Sequence, residues 1–164
     1  GSTTAYAKAK ETEQAVEWGA KSLDMAMNIG ALMSGDFKSV EKELKDFVTA
    51  AQGMDTKVII DVAFLKDDEI AAATKMIVEA GVNYAKTATG QYQGPTMEQF
   101  LIMRDVCAGT ATKTKVSGVK FPRPQNAYNF LMAGADLIGT RAAPEIIDAL
   151  DTMRAVGIVP PYKP

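Results

Sequence analysis

The stretch Asn83-Tyr84-Ala85-Lys86-Thr87-Ala88-Thr89 (NYAKTAT) sets a charge among β-type residues. It reads as a short β-strand with a lysine at its centre, and lysine is costly to bury. Side chains alternate between the faces of a strand, so Tyr84, Lys86 and Ala88 share one face. Two other stretches pose the same problem. In Ser22–Asn28 (SLDMAMN), Leu23, Met25 and Met27 share one face, while Asp24, Ala26 and Asn28 share the other. In Thr112–Ser117 (TKTKVS), Lys113, Lys115 and Ser117 share a face. A doubly wound parallel sheet lies under helices on both faces and would strand these charges. A (β/α) barrel gives them an interior that opens at the active-site end. Polar residues converging from several strands therefore predict an α/β fold of the barrel type.

The rest of the chain repeats one unit: a helical segment, a glycine, then a β-rich run. The glycines are Gly19, Gly53, Gly81, Gly109 and Gly134, each suited to the left-handed residue that ends a helix. Helices are predicted over 4–18, 37–51, 68–80, 97–107, 125–133 and 144–155. Asp36 is the expected N-cap of the second, which carries Phe37, Val40, Leu44, Phe47, Val48 and Ala51 as its apolar stripe. Thr96 and Gln99 form a capping-box pattern. Alternating strands and helices imply a parallel sheet. Such units number about five, whereas a closed barrel takes eight in roughly 250 residues. The expectation is a partial barrel domain over 1–155 without the N-terminal strands, its edges unpaired, and a proline-rich tail over 156–164. Met25, Met27, Met33, Met76 and Met132 are expected in the core and Trp18 is expected to pack at a helix end.

Composition narrows the chemistry. The chain has 164 residues, 47% apolar and 23% charged, with net charge −2. No basic cluster suits a phosphate backbone, so no nucleic-acid partner is expected. No apolar run approaches the roughly 20 residues of a membrane span. The single cysteine, Cys107, fits a reducing compartment, and the expected location is cytoplasmic; on a helix end it reads as a packing residue. Histidine is absent, which removes Ser-His-Asp and Cys-His catalysis and histidine-ligated metals. No dinucleotide or P-loop glycine motif is present. Chemistry at neutral pH falls to lysine, carboxylate, tyrosine or a bound cofactor.

The segments LDMAMNIGALMSGDF (23–37), KVIIDVAFLKDDE (57–69), EAGVNYAKTATG (79–90), KVSG (115–118) and AGADLIGT (133–140) resemble, in this order and spacing, the deoxyribose-phosphate aldolase family. The resemblance runs from Thr3 to about Ile147. It implies a TIM barrel, with this chain corresponding to about its fourth to eighth strands. It also implies a class I aldolase, which joins acetaldehyde to glyceraldehyde 3-phosphate reversibly through a lysine Schiff base, without metal or cofactor. The implied partners are a small-molecule aldehyde and a sugar phosphate, with a homo-oligomer or a complementing N-terminal segment to complete the barrel.

The residues support that chemistry on their own terms. Aldol cleavage needs an electron sink next to the breaking bond, and a protonated imine provides one. A lysine nucleophile must be a free amine although its ordinary pKa is about 10.4, and reaching about 7 corresponds to about 4 kcal/mol. Burial and a second ammonium both act in that direction. By resemblance, Lys86 in KTATG is the Schiff-base lysine and Lys115 in KVSG the lysine that perturbs it. Alternation alone does not separate Lys115 from Lys113. Asp24 resembles the family's proton-shuttling carboxylate. Asp61 reads equally as a further interior polar group or a charge at a helix start.

The phosphate site is expected around Thr89, Gly90, Ser117, Gly118, Gly139, Thr140 and Arg141. Here the chain departs from the family. Val119 stands where a second glycine is usual, and Arg141-Ala142 where Ser-Ser is common. Lys120, Arg123 and Arg141 offer charge in place of hydroxyls. Two alternatives follow: a class I aldolase acting on a different, non-phosphorylated aldehyde, and a non-catalytic barrel fragment or subunit that requires a partner. Tyr162 is a tail tyrosine of the kind some family members place near substrate.

Overall fold

Each predicted βα unit is present in a computed structural model, which describes residues 1–162. The strands are β1 (Ser22–Ala26), β2 (Asp55–Ile59), β3 (Tyr84–Lys86), β4 (Lys113–Ser117) and β5 (Leu137–Gly139). They form a single parallel sheet in the order β1-β2-β3-β4-β5. Sequential order with a helix after each strand is the winding of a (β/α) barrel, here five strands wide and open between β1 and β5. The helices are α1 (Ala5–Glu17), α2 (Ile29–Met33), α3 (Phe37–Ala50), α4 (Asp67–Glu79), α5 (Met97–Cys107), α6 (Pro124–Met132), α7 (Ala143–Asp148) and α8 (Leu150–Ala155). Short α2 and a 3₁₀ turn at Val62–Phe64 are too brief for a periodic signal. The expected final helix is divided at Ala149. The five helix-ending glycines all have positive φ, from 75° to 102°.

The alternation decides which face meets the helices. Leu23, Met25 and Met27 of the β1 segment join Val58, Ile60 and Ala85 in the main core. Leu44 and Phe47 of α3, Ile70 and Ile77 of α4 and Met103 of α5 close over them. The other face carries Asp24, Lys57, Tyr84, Lys86 and Lys115. Asp36 caps α3 by accepting from the Ser39 N–H. Several residues expected to pack are instead outside: Trp18, expected to pack at a helix end, is 82% exposed, and Met33, Phe37 and Met132, expected in the core or on an apolar stripe, are each about half exposed. Phe37 opens α3, and Met33 and Met132 close their helices, where about half of each side chain faces solvent. Ile158 and Val159, in the expected tail, pack against the cluster of Tyr128, Ile146 and Met153. The last two positions of that tail, 163–164, lie outside the described residues.

Two sets of long-range bonds hold the ends of the strands. At the C-terminal end of β1, Lys8 Nζ of α1 donates to Glu43 Oε1 of α3 (2.5 Å) and to Ala26 O (2.8 Å). Glu43 Oε2 accepts from the Asn28 N–H (2.9 Å). Both side chains are buried, so each charge depends on the other. At the opposite end, Asn83 Oδ1 accepts from the backbone and hydroxyl of Thr56, and Asp136 does the same for Thr114.

The capping box of α5 is formed as predicted: Thr96 Oγ1 accepts from the Gln99 N–H, and Gln99 Oε1 accepts from the Thr96 N–H. Thr96→Ala removes one of these bonds and is expected to cost about 1 kcal/mol of stability. Equilibrium urea unfolding reads this as a lower midpoint with an unchanged slope.

Candidate functional site

Lys86 ends β3 and stands opposite Lys115 in the β3–β4 register. Its Nζ donates to Asp24 Oδ1 of β1 at 2.8 Å. Lys115 Nζ lies 3.9 Å from the same oxygen. The three side chains meet although they come from three strands and lie up to 91 residues apart (115 minus 24). The Lys86 and Lys115 side chains are 15% and 18% exposed, so water reaches them but does not surround them. Lys113 shares their face but is exposed, opposite Tyr84 at the other end of the strand. Geometry therefore favours Lys115, as the motif did.

The electrostatics follow from that placement. Burial pushes the Lys115 ammonium below the usual lysine range, and the Lys86 charge adds to the effect, while Asp24 opposes it. One carboxylate thus stands between two lysines from neighbouring strands. Cys107 behaves differently. It is buried at the end of α5, and burial raises its thiol to about 11. A thiol held in that way is a packing group, not a nucleophile.

Loops after β3, β4 and β5 enclose a cleft of about 540 Å³ beside Lys86. All seven expected binding residues line it: Thr89, Gly90, Ser117, Gly118, Gly139, Thr140 and Arg141. Two glycines are sterically required. A Cβ at Gly139 would come within 3.2 Å of Lys115 Cε and 2.9 Å of Ser117 Cβ. At Gly118, with φ of +81°, it would lie 2.8 Å from Ala88 Cβ and 3.0 Å from Gly90 N. Small residues thus let Lys115 extend and let the β3 and β4 loops touch. Ser117 Oγ donates to Ala88 O at 2.6 Å, which commits its proton to the backbone. Thr140 Oγ1 accepts from the Ala142 N–H. Arg141 donates to Lys120 O, and Lys120 Nζ donates to Gly90 O and Gln91 O.

Asp61 stands, half-buried, at the N-cap position of the 3₁₀ turn, without capping it through its side chain. It adopts a left-handed conformation, φ 46°, and its carboxylate accepts from the Thr89 N–H (2.7 Å) and hydroxyl (2.9 Å). It therefore positions the loop that borders Lys86. Lys57 was not singled out from the sequence. It lies on the interior face beside Asp24 and Tyr84 in the register. The period-2 rule that placed Lys86 would have found it, had the run KVIID not read as an apolar strand. Gln91, Val119, Lys120 and Pro122 also line the cleft. Among the described residues no group of three or more His, Cys, Asp or Glu is placed to hold a metal ion, and no helix is long and apolar enough to cross a membrane.

Comparison with known proteins gives consistent matches. A family model described as DeoC/LacD family aldolase matches residues 2–138. The chain is 38% identical over 148 residues to deoxyribose-phosphate aldolase 2 of Oceanobacillus iheyensis, covering 90% of this chain and 66% of that one. It is 30% identical to the solved structure of QR15, an aldolase, with a TM-score of 0.85 over 96% of this chain and 71% of that one. The deoxyribose phosphate aldolase of Aeropyrum pernix, described as tetrameric, shares the fold at a TM-score of 0.81 and 23% identity, over 93% of this chain and 64% of that one. The chain spans about two thirds (66–69%) of the length of the curated relatives it matches.

Proposed function

The chain belongs to the DeoC/LacD aldolase family, and from that premise we propose that it acts as a class I aldolase through a Schiff base on Lys86, cleaving 2-deoxy-D-ribose 5-phosphate or a close analogue. The observation that carries this reading is the convergence of Lys86 and Lys115 on one oxygen of Asp24, at 2.8 and 3.9 Å. The free amine of Lys86 attacks the substrate aldehyde carbon, a C–N bond forms, and the oxygen takes up a proton. Loss of water from this carbinolamine gives the protonated imine. Removal of the C3 hydroxyl proton then breaks the C2–C3 bond. Its electron pair flows into the imine to give an enamine, and glyceraldehyde 3-phosphate leaves. Protonation of the enamine carbon and hydrolysis release acetaldehyde and restore the amine. Asp24 is the group within reach of Lys86 that can carry protons in these steps. Lys115, its ammonium held below the usual lysine range, supplies the second positive charge beside Lys86.

The direct assay incubates the protein with 2-deoxyribose 5-phosphate and measures the acetaldehyde released. Production of acetaldehyde supports the reading, and none from folded protein contradicts it. A second reading, a non-phosphorylated acceptor, is favoured by Val119 and Ala142, which stand where a glycine and a serine are usual. Arg141 and Lys120 border the cleft and are the groups that would hold a phosphate. Arg141→Ala is expected to raise KM for the phosphorylated sugar about tenfold while kcat stays near wild type. Equal kcat/KM for sugars with and without the 5-phosphate would favour the second reading instead.

The domain over 1–155 works, on this account, as part of a larger barrel or oligomer. The free edges of β1 and β5 support that view, because unpaired strand edges seek partners. A cytoplasmic setting agrees with the single buried thiol.

A further inference from the structure

We propose that Lys8 and Glu43 are positioning residues for Asp24: their buried ion pair takes the place of a neighbouring strand at the open edge of β1 and so holds the Asp24 carboxylate on Lys86. The proposal rests on the Schiff-base reading above, in which Asp24 serves Lys86.

The ladder shows which backbone groups of β1 need a partner. The Met27 N–H donates to Ile59 O, and the Asp55 N–H donates to Lys21 O. The odd-numbered residues of this segment therefore turn their N–H and C=O toward β2. A parallel strand serves its two sides through alternate residues. Asp24, Ala26 and Asn28 thus turn theirs to the side where β1 has no strand. Backbone groups left unpaired away from water are costly. Side chains meet two of them: Ala26 O accepts from Lys8 Nζ at 2.8 Å, and the Asn28 N–H donates to Glu43 Oε2 at 2.9 Å. One residue of an added parallel strand would do the same, with its N–H on Ala26 O and its C=O on the Asn28 N–H. The pair reproduces that donor and acceptor with one side chain from α1 and one from α3, joined at 2.5 Å.

Packing alone does not call for these charges. Lys8 is 5% exposed and Glu43 3%. An apolar pair of similar volume would join α1 to α3 without the cost of desolvating two ions, but it could not bond Ala26 O or the Asn28 N–H. Those bonds fall at positions 26 and 28, directly beyond Asp24 on the same segment. Asp24 itself is held by a strand on one side only. Its register partner is Lys57 of β2, and on the other side it borders a groove shared with Lys8 and Glu11 of α1. The ion pair is therefore the anchor of the open edge at the end nearest the lysines. Asp24 Oδ1 stands 2.8 Å from Lys86 Nζ, so a displacement of about 1 Å would break that hydrogen bond.

The test is NMR of lysine side chains, in protein carrying ¹³C-labelled lysine, without substrate. Lys8→Met alone leaves Glu43 as a lone buried charge, so the variant used is Lys8→Met with Glu43→Met, which removes both charges together. Its Lys86 signal is expected to move toward the position that the signal takes in Asp24→Asn. Made in the Asp24→Asn background, the same two substitutions are expected to leave the Lys86 signal where it is, because the effect runs through Asp24. Acetaldehyde release is expected to show kcat lower by about tenfold with KM near wild type, the mark of a misplaced reacting group. An unmoved Lys86 signal in the folded variant overturns the proposal. A shift of equal size with and without the Asp24 carboxylate also overturns it, since that is the behaviour of a purely structural pair. Amide hydrogen exchange on the unaltered protein covers the case in which the variant does not fold: an Asn28 N–H that exchanges as fast as in an unfolded chain overturns the proposal as well. Because the signals and the exchange are read without aldehyde, they are decided independently of whether Lys86 forms an imine.

Discussion

Lys86→Ala is expected to fold like the parent protein and to lose aldolase turnover by at least about 10³-fold, because it removes the group that forms the covalent intermediate. Folding survives because the lysine is a partly exposed group at the end of β3, outside the main core. Its removal also frees Asp24, and Lys115 already lies 3.9 Å from that carboxylate to take it up. Thermal unfolding checks the fold, and acetaldehyde release checks turnover. Turnover within tenfold of wild type would place the nucleophile elsewhere, with Lys115 the nearest amine.

Asp24→Asn separates two roles that the carboxylate could play. If Asp24 only balanced charge, its loss would leave two ammoniums in mutual repulsion, and a free amine would appear at lower pH. Asp24 indeed raises the Lys115 range, so its removal lowers that range further. Imine formation would then become easier on the acid side. If Asp24 also moves protons, turnover is expected to fall by about 10²–10⁴ despite the more available amine, the usual range for a positioned acid–base group. The pH–rate profile reads both effects at once. A lower plateau with its acid limb shifted to lower pH supports proton transfer. An unchanged plateau with only the shift reduces Asp24 to a counter-charge.

The parts legible in the sequence are those with a local period. Alternation placed Asp24, Lys86 and Lys115 on one face, and the structure brings them to one oxygen. Helix-ending glycines marked the units, because a positive φ leaves a residue-level signature. The loops were legible only through motif resemblance, since their contacts join residues about 30 apart, such as Lys120 with Gly90. Asp61 stayed ambiguous for the same reason: its partner Thr89 lies across the next helix. Lys57 was hidden in an apolar run, and an apolar run gives no sign of which face a lysine takes. Trp18, Met33, Phe37 and Met132 went the other way. They stand at or next to helix ends, half or more of each is exposed, and sequence periodicity does not report what covers the end of a helix.

In the proposed reaction Lys86 forms an imine. The most direct measurement incubates the protein with acetaldehyde, reduces it with borohydride, and maps the modified peptide by mass spectrometry. One added ethyl group on the peptide that carries Lys86 is the predicted result. No adduct on protein shown to be folded, or an adduct confined to the peptide that carries Lys115, would contradict it.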